Sequence, residues 1–122
     1  MNSAIIGIGS NISPEKNIRL ALELLAEEVT IEQVSTMVRT KPIGITEQPD
    51  FINGAVRITT SLSHEELQLF LKMTEDRTGR DRTQSRFGPR TIDLDIVMWN
   101  DEIVDPDYFT RDFLQKAVDE VR

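Results

Sequence analysis

The chain has 122 residues, no cysteine, one histidine and a formal net charge of −7. That length supports one domain, residues 1–122, with a single modest core. The composition excludes disulfides, cysteine-ligated zinc and thiol catalysis, and the acidic balance argues against nonspecific nucleic-acid binding.

The N-terminal stretch MNSAIIGIGSN lacks the basic region of a signal peptide. No run of about eighteen apolar residues occurs anywhere, so a cytoplasmic protein without membrane spans is expected. Residues 3–9, SAIIGIG, read as a first strand. Ser13 then reads as an N-cap with Pro14 at the first helical position. Ile18, Ala21, Leu22 and Leu25 recur at helical spacing and predict a helix over 14–28. Partial alternation over 29–39 predicts a second strand. The segment TKPIGITEQPD, 40–50, is a loop of a length often found at functional sites. A third strand over 51–60 puts Phe51, Asn53, Ala55, Arg57 and Thr59 on one face.

Ser63 to Glu66 forms a capping box that opens a second helix, and Gly79 ends it. His64 falls in the first turn and is expected to be exposed, with no chemical role. The segment RTGRDRTQSRFGPR, 77–90, carries five arginines and one aspartate, a local +4 that leaves −11 for the rest. It is either a solvated loop paired with nearby acids or a site for a small polyanion. A fourth strand covers 91–99, Asn100-Asp101 signals a turn, and 109–122 has helical periodicity. The order β-α-β-β-α-β, then α, predicts an α+β ferredoxin-like βαββαβ sandwich. It would have a four-stranded antiparallel sheet with helices on one face, plus a C-terminal helix.

The last strand carries two acids, Asp93 and Asp95, within RFGPRTIDLDIVMW. Strand alternation puts both on one face, their Cα atoms about 7 Å apart. They either pair with Arg86 and Arg90 or share a divalent cation. Oxygen ligands without Cys point to magnesium, whose shell phosphate oxygens usually complete. A metal beside arginines is the equipment of phosphoryl transfer. No P-loop or Rossmann fingerprint is present, since GIGSN is not GxGxxG.

FGPRTIDLDI, IIGIGSNI and QPDFINGAV together resemble the 6-hydroxymethyl-7,8-dihydropterin pyrophosphokinase family, over residues 1 to about 104. The resemblance implies diphosphate transfer from ATP to the pterin hydroxymethyl group in folate biosynthesis, releasing AMP, with two Mg²⁺ ions. It implies Asp93 and Asp95 as metal ligands and Arg80, Arg82 and Arg90 as phosphate-contacting catalytic residues. Glu75 would lie near the nucleotide and Ile96 would line the adenine site. Phe51 would stack on the pterin, Asn53 would bond its edge, and the loop at Thr40 and Ile43 would complete that edge. The resemblance implies small-molecule substrates, ATP and the dihydropterin; charge and hydropathy point away from nucleic acid and membrane, and a monomer or small homo-oligomer is expected.

The resemblance has departures. The family usually continues for about thirty or more residues, with a Pro-His-Tyr segment and then Arg-Gly-Phe. Here Pro106-Asp107-Tyr108 and Arg111-Asp112-Phe113 stand in their places. On that alignment Phe113 is a second stacking wall and Arg111 a phosphate contact; otherwise Phe113 belongs to the apolar face of the last helix. Phe87 replaces a Trp, and Lys41 stands where many members have Pro. A noncatalytic pterin- or nucleotide-binding module of the same fold is the competing expectation.

Overall fold

The computed structural model describes residues 1–79 and 88–122. Arg80 and Arg82 lie outside the described residues. In chain order the elements are β1 (Asn2–Ser10), α1 (Pro14–Leu25), β2 (Thr30–Val34), β3 (Val38–Thr40) and β4 (Phe51–Thr60). There follow α2 (His64–Arg77), β5 (Asp93–Trp99), β6 (Glu102–Ile103), a 3₁₀ turn (Pro106–Phe109) and α3 (Asp112–Val121). The six strands form one antiparallel sheet in the order β2-β4-β1-β5-β6, with β3 also paired to β4.

Among the described residues the expected four strands are therefore six. The predicted second strand breaks at Ser35, whose backbone N–H donates to the Ala55 carbonyl at 2.9 Å while its hydroxyl accepts from the Ala55 N–H at 2.8 Å. Beside that break the Met37 side chain crosses Gly54, where a Cβ would collide with its sulfur. The chain then rejoins β4 further along, as β3. The sixth strand arises from the Asn100-Asp101 turn, in which Asn100 adopts φ 53°, bringing Glu102 opposite Trp99.

Helix ends follow local chemistry. Ser13 is the N-cap of α1 and Pro14 its first residue, as expected, but Ser13 is left-handed and makes no side-chain cap; Asn17 Nδ2 bonds the Ile12 carbonyl. At α2 the capping box forms as expected. Glu66 accepts from the Ser63 N–H at 2.9 Å and Ser63 Oγ accepts from the Glu66 N–H at 3.1 Å. The backbone bond from Ser63, then its side-chain bond, hold the Glu66 carboxyl below its ordinary range. His64 is only half exposed, because its ring stands edge-on to Trp99 with centroids 5.2 Å apart.

Alternation along the strands divides the interior into two layers. Ala4, Ile6, Ile8, Val56, Ile58, Leu94 and Ile96 bury one face against Ile18, Ala21 and Leu25 of α1 and Leu67 and Leu71 of α2. On the other face Ile5, Ala55, Val97 and Met98 meet Ala117, Val118 and Val121 of α3. Among the described residues no helix is long and apolar enough to cross a membrane.

Polar groups tie down the end of α3. Arg57 Nε donates to the Val121 carbonyl at 2.7 Å, Gln33 Nε2 donates to the Glu120 carbonyl at 3.3 Å, and the Glu120 carboxylate accepts from the Thr36 N–H at 2.7 Å. In the same last turn the Asp119 carboxylate accepts from the Tyr108 hydroxyl at 2.7 Å, a bond that raises the phenol pKa. A cation on the last carbonyls satisfies acceptors that the helix itself leaves open. Arg57→Ala is therefore expected to lower stability by about 1–2 kcal/mol, read as a lower denaturation midpoint in urea.

Candidate functional site

The site is built on a floor of glycine. Across three strands, Asn53 of β4, Gly9 of β1 and Asp93 of β5 lie in one row, and Ala55, Gly7 and Asp95 lie in the next. Alternation puts both rows on the α3 face of the sheet. Glycine at the centre of each row leaves room beside Asn53, Asp93 and Asp95. At Gly9 the requirement is strict: a Cβ there would collide with Asn53 Oδ1. Asn53 is held in turn by its Nδ2 bond to the Thr40 hydroxyl, and register pairs Thr40 with Phe51.

Two clefts border Asp93, at the edge of this floor. The first is narrow, about 110 Å³, and is lined by Thr40, Lys41, Ile43, Phe51, Asn53, Gly88, Arg90, Asp93, Arg111 and Phe113. All five residues expected at a pterin therefore share one cleft, with Phe113 reaching it from the first turn of α3. Behind it, a recess over Gly7 and Gly9 brings Asp93, Asp95, Asp105, Asp107, Arg111 and Phe113 together. The second cleft is larger, about 530 Å³, and lies along α2, where Glu65, Gln68, Leu69, Lys72 and Glu75 face Asp93, Asp95 and Ile96 of β5. Asp93 borders both clefts.

The reason for this junction is the edge of β5. Among the described residues, β5 is paired beyond β1 only at Met98 and Trp99, by β6. Its outer edge at Leu94 is served by Glu75, whose Oε2 accepts the Leu94 N–H at 2.8 Å. Glu75 is buried at 4% exposure, so this carboxylate fixes the strand between the two acids as well as lining the second cleft. Ile96 is buried in the core as well as bordering that cleft.

Cations flank the acids. Arg90 is buried at 8% exposure, and its guanidinium donates to the Gly88 carbonyl at 3.3 Å. Arg111 stands 3.6 Å from Asp107, one turn earlier. Among the described residues no group of three or more His, Cys, Asp or Glu side chains is placed to hold a metal. The donor set at the junction is thus the two carboxylates, hard oxygen ligands of the kind that suits magnesium when phosphate completes the shell.

Three residues of the site were not singled out by their sequence pattern. Gly7 and Gly9 sit in GIGSN, and glycines alternating within an apolar strand are themselves a sign of close approach. Lys72 borders the second cleft from a helix whose polar face looks ordinary in sequence.

A family model described as 7,8-dihydro-6-hydroxymethylpterin-pyrophosphokinase matches residues 5–122. The chain is similar to the 2-amino-4-hydroxy-6-hydroxymethyldihydropteridine pyrophosphokinase of Bacillus subtilis, 42% identical over 107 residues, covering 85% of this chain and 64% of the relative. The protein of the same name from Aquifex aeolicus is 36% identical over 105 residues, covering 85% and 65%. A folate synthesis bifunctional protein of Arabidopsis thaliana is 36% identical over 97 residues, 78% of this chain and 20% of its own length. The chain thus spans just under two thirds of the two bacterial relatives.

Proposed function

The chain belongs to the 7,8-dihydro-6-hydroxymethylpterin-pyrophosphokinase family, and from that premise we propose that it transfers a diphosphate from ATP to the hydroxymethyl group of 6-hydroxymethyl-7,8-dihydropterin. AMP is the second product, and the place of the reaction is folate biosynthesis. The observation that carries the reading is the meeting of two clefts at Asp93, with Asp95 lining the second and Arg90 the first. The fold is read as a ferredoxin-like core of β1, β4, β5 and the β2–β3 pair, elaborated by β6.

In this reading the first cleft takes the pterin. Phe51 and Phe113 supply apolar faces for a flat ring, and the Asn53 amide meets its donor and acceptor edge, oriented by Thr40. The loop at Ile43 borders the same edge. The nucleotide takes the second cleft, against Ile96 and beside Glu75 and Lys72. The hydroxymethyl group and the triphosphate then meet over the acid pair.

Asp93 and Asp95 would hold two magnesium ions. Bound there, magnesium neutralises phosphate charge and steadies the attacking and bridging oxygens of an in-line transfer. Arg90 and Arg111 add fixed positive charge on the pterin side, and Arg80 and Arg82 are assigned to the phosphates from the family pattern. Positioning and charge neutralisation are the main demands of such a reaction.

The test is a coupled assay for AMP with ATP, Mg²⁺ and the dihydropterin. AMP formed only when the pterin is present supports the proposal. Tight pterin binding without AMP would identify a binding module instead, and AMP formed only with another alcohol would change the acceptor. Within this reading, Phe51→Ala is expected to weaken pterin binding about fivefold or more, the equivalent of about 1 kcal/mol of lost stacking. Titration calorimetry checks this, and an unchanged dissociation constant removes Phe51 from the pocket wall.

A further inference from the structure

Asn11 lies just beyond β1 and is buried at 4% exposure, yet the functional reading gives it no task. Its backbone N–H donates to the Arg90 carbonyl at 3.1 Å, and its side-chain Oδ1 accepts from the Arg90 N–H at 2.8 Å. These two bonds hold the Arg90 backbone as two rungs of a ladder would. The side-chain Nδ2 faces elsewhere: it donates to Gln48 Oε1 at 2.9 Å and to the Pro49 carbonyl at 3.0 Å. Gln48 Nε2 donates onward to the Ile45 carbonyl at 2.7 Å, bracing the loop on itself. The amide oxygen thus serves Arg90 and the amide nitrogen serves the loop.

Both ends lead to the first cleft. The loop carries Ile43, and Arg90 supplies a guanidinium to the same lining. A side chain needed only for packing has no reason to join these two segments, which are far apart in sequence. We infer that Asn11 is a positioning residue that couples the Ile43–Pro49 loop to Arg90. A pterin seated against the loop then also sets the cation that faces the phosphates. The kinetic part of this inference rests on the proposed function.

Three variants separate the two arms. Asn11→Asp keeps an acceptor for the Arg90 N–H and removes both donors to the loop. Asn11→Ala removes both side-chain arms. Gln48→Ala weakens the loop arm from its far side and guards against poor folding of the Asn11 variants. Amide hydrogen exchange at Arg90, which needs no ligand, is expected to quicken about tenfold in Gln48→Ala as the local structure opens more often. In steady-state kinetics, Asn11→Asp is expected to raise the pterin KM about tenfold with kcat changed less than about threefold, while Asn11→Ala lowers kcat about tenfold as well. Equal Arg90 exchange in Gln48→Ala and the unmodified protein overturns the coupling, as does an unchanged pterin KM in Asn11→Asp. Absence of AMP from the unmodified protein would defeat the proposed activity instead, and the Arg90 exchange would still decide whether the joint exists.

Discussion

Asp95→Asn is expected to lower kcat by about a thousandfold, the equivalent of about 4 kcal/mol in the barrier. The substitution keeps the shape of the side chain and removes one of the two charges at the junction of the clefts. Asp95 lies opposite Gly7 on the open face of the sheet and is exposed, so the core does not depend on it. The thermal midpoint should therefore stay close to that of the unmodified protein, and pterin affinity in the absence of nucleotide should change little. Magnesium affinity in the presence of an ATP analogue should fall, since an amide oxygen is a weaker partner for a hard cation than a carboxylate. Turnover at the original rate would remove Asp95 from the chemistry. A large fall in stability would show instead that its charge is structural.

Gly9→Ala is expected to raise the pterin dissociation constant about tenfold or more, with a far smaller effect on nucleotide binding. The added methyl collides with Asn53 Oδ1, the end of a short side chain already held by Thr40. To make room, Asn53 must leave Thr40 or turn away from the cleft, and losing a hydrogen bond of this kind costs about 0.5–1.5 kcal/mol. Separate titrations with pterin and with a nonhydrolysable ATP analogue distinguish this local effect from general unfolding. Equal weakening of both ligands would point to a damaged sheet rather than a displaced Asn53.

What the sequence made legible was local. Both faces of β4, the Ser63–Glu66 capping box and the apolar stripe of α3 are patterns within ten or so residues, and the structure follows them closely. The break between β2 and β3 was not legible, because it depends on Ser35 and Met37 meeting Ala55 and Gly54 across the sheet. Nor was β6, whose two residues carry no periodicity. At the site, the pairing of Asp93 with Asp95 and of Phe51 with Asn53 on common faces followed from strand alternation alone. The glycine floor did not: GIGSN reads as the end of a strand and not as a phosphate-binding fingerprint, and its use emerges only once register sets Gly9 between Asn53 and Asp93. Glu75 is a related case. Its place near a nucleotide is implied by resemblance, but its bond to the Leu94 N–H is a long-range contact that no spacing encodes.

The most direct test of the central claim is a crystal structure with magnesium, a nonhydrolysable ATP analogue and the dihydropterin bound together. The account predicts the pterin between Phe51 and Phe113, the adenine along α2 against Ile96, and metal ions on Asp93 and Asp95 where the two molecules meet. A nucleotide bound away from the α2 cleft, or a triphosphate whose metal ions touch neither carboxylate, would contradict it.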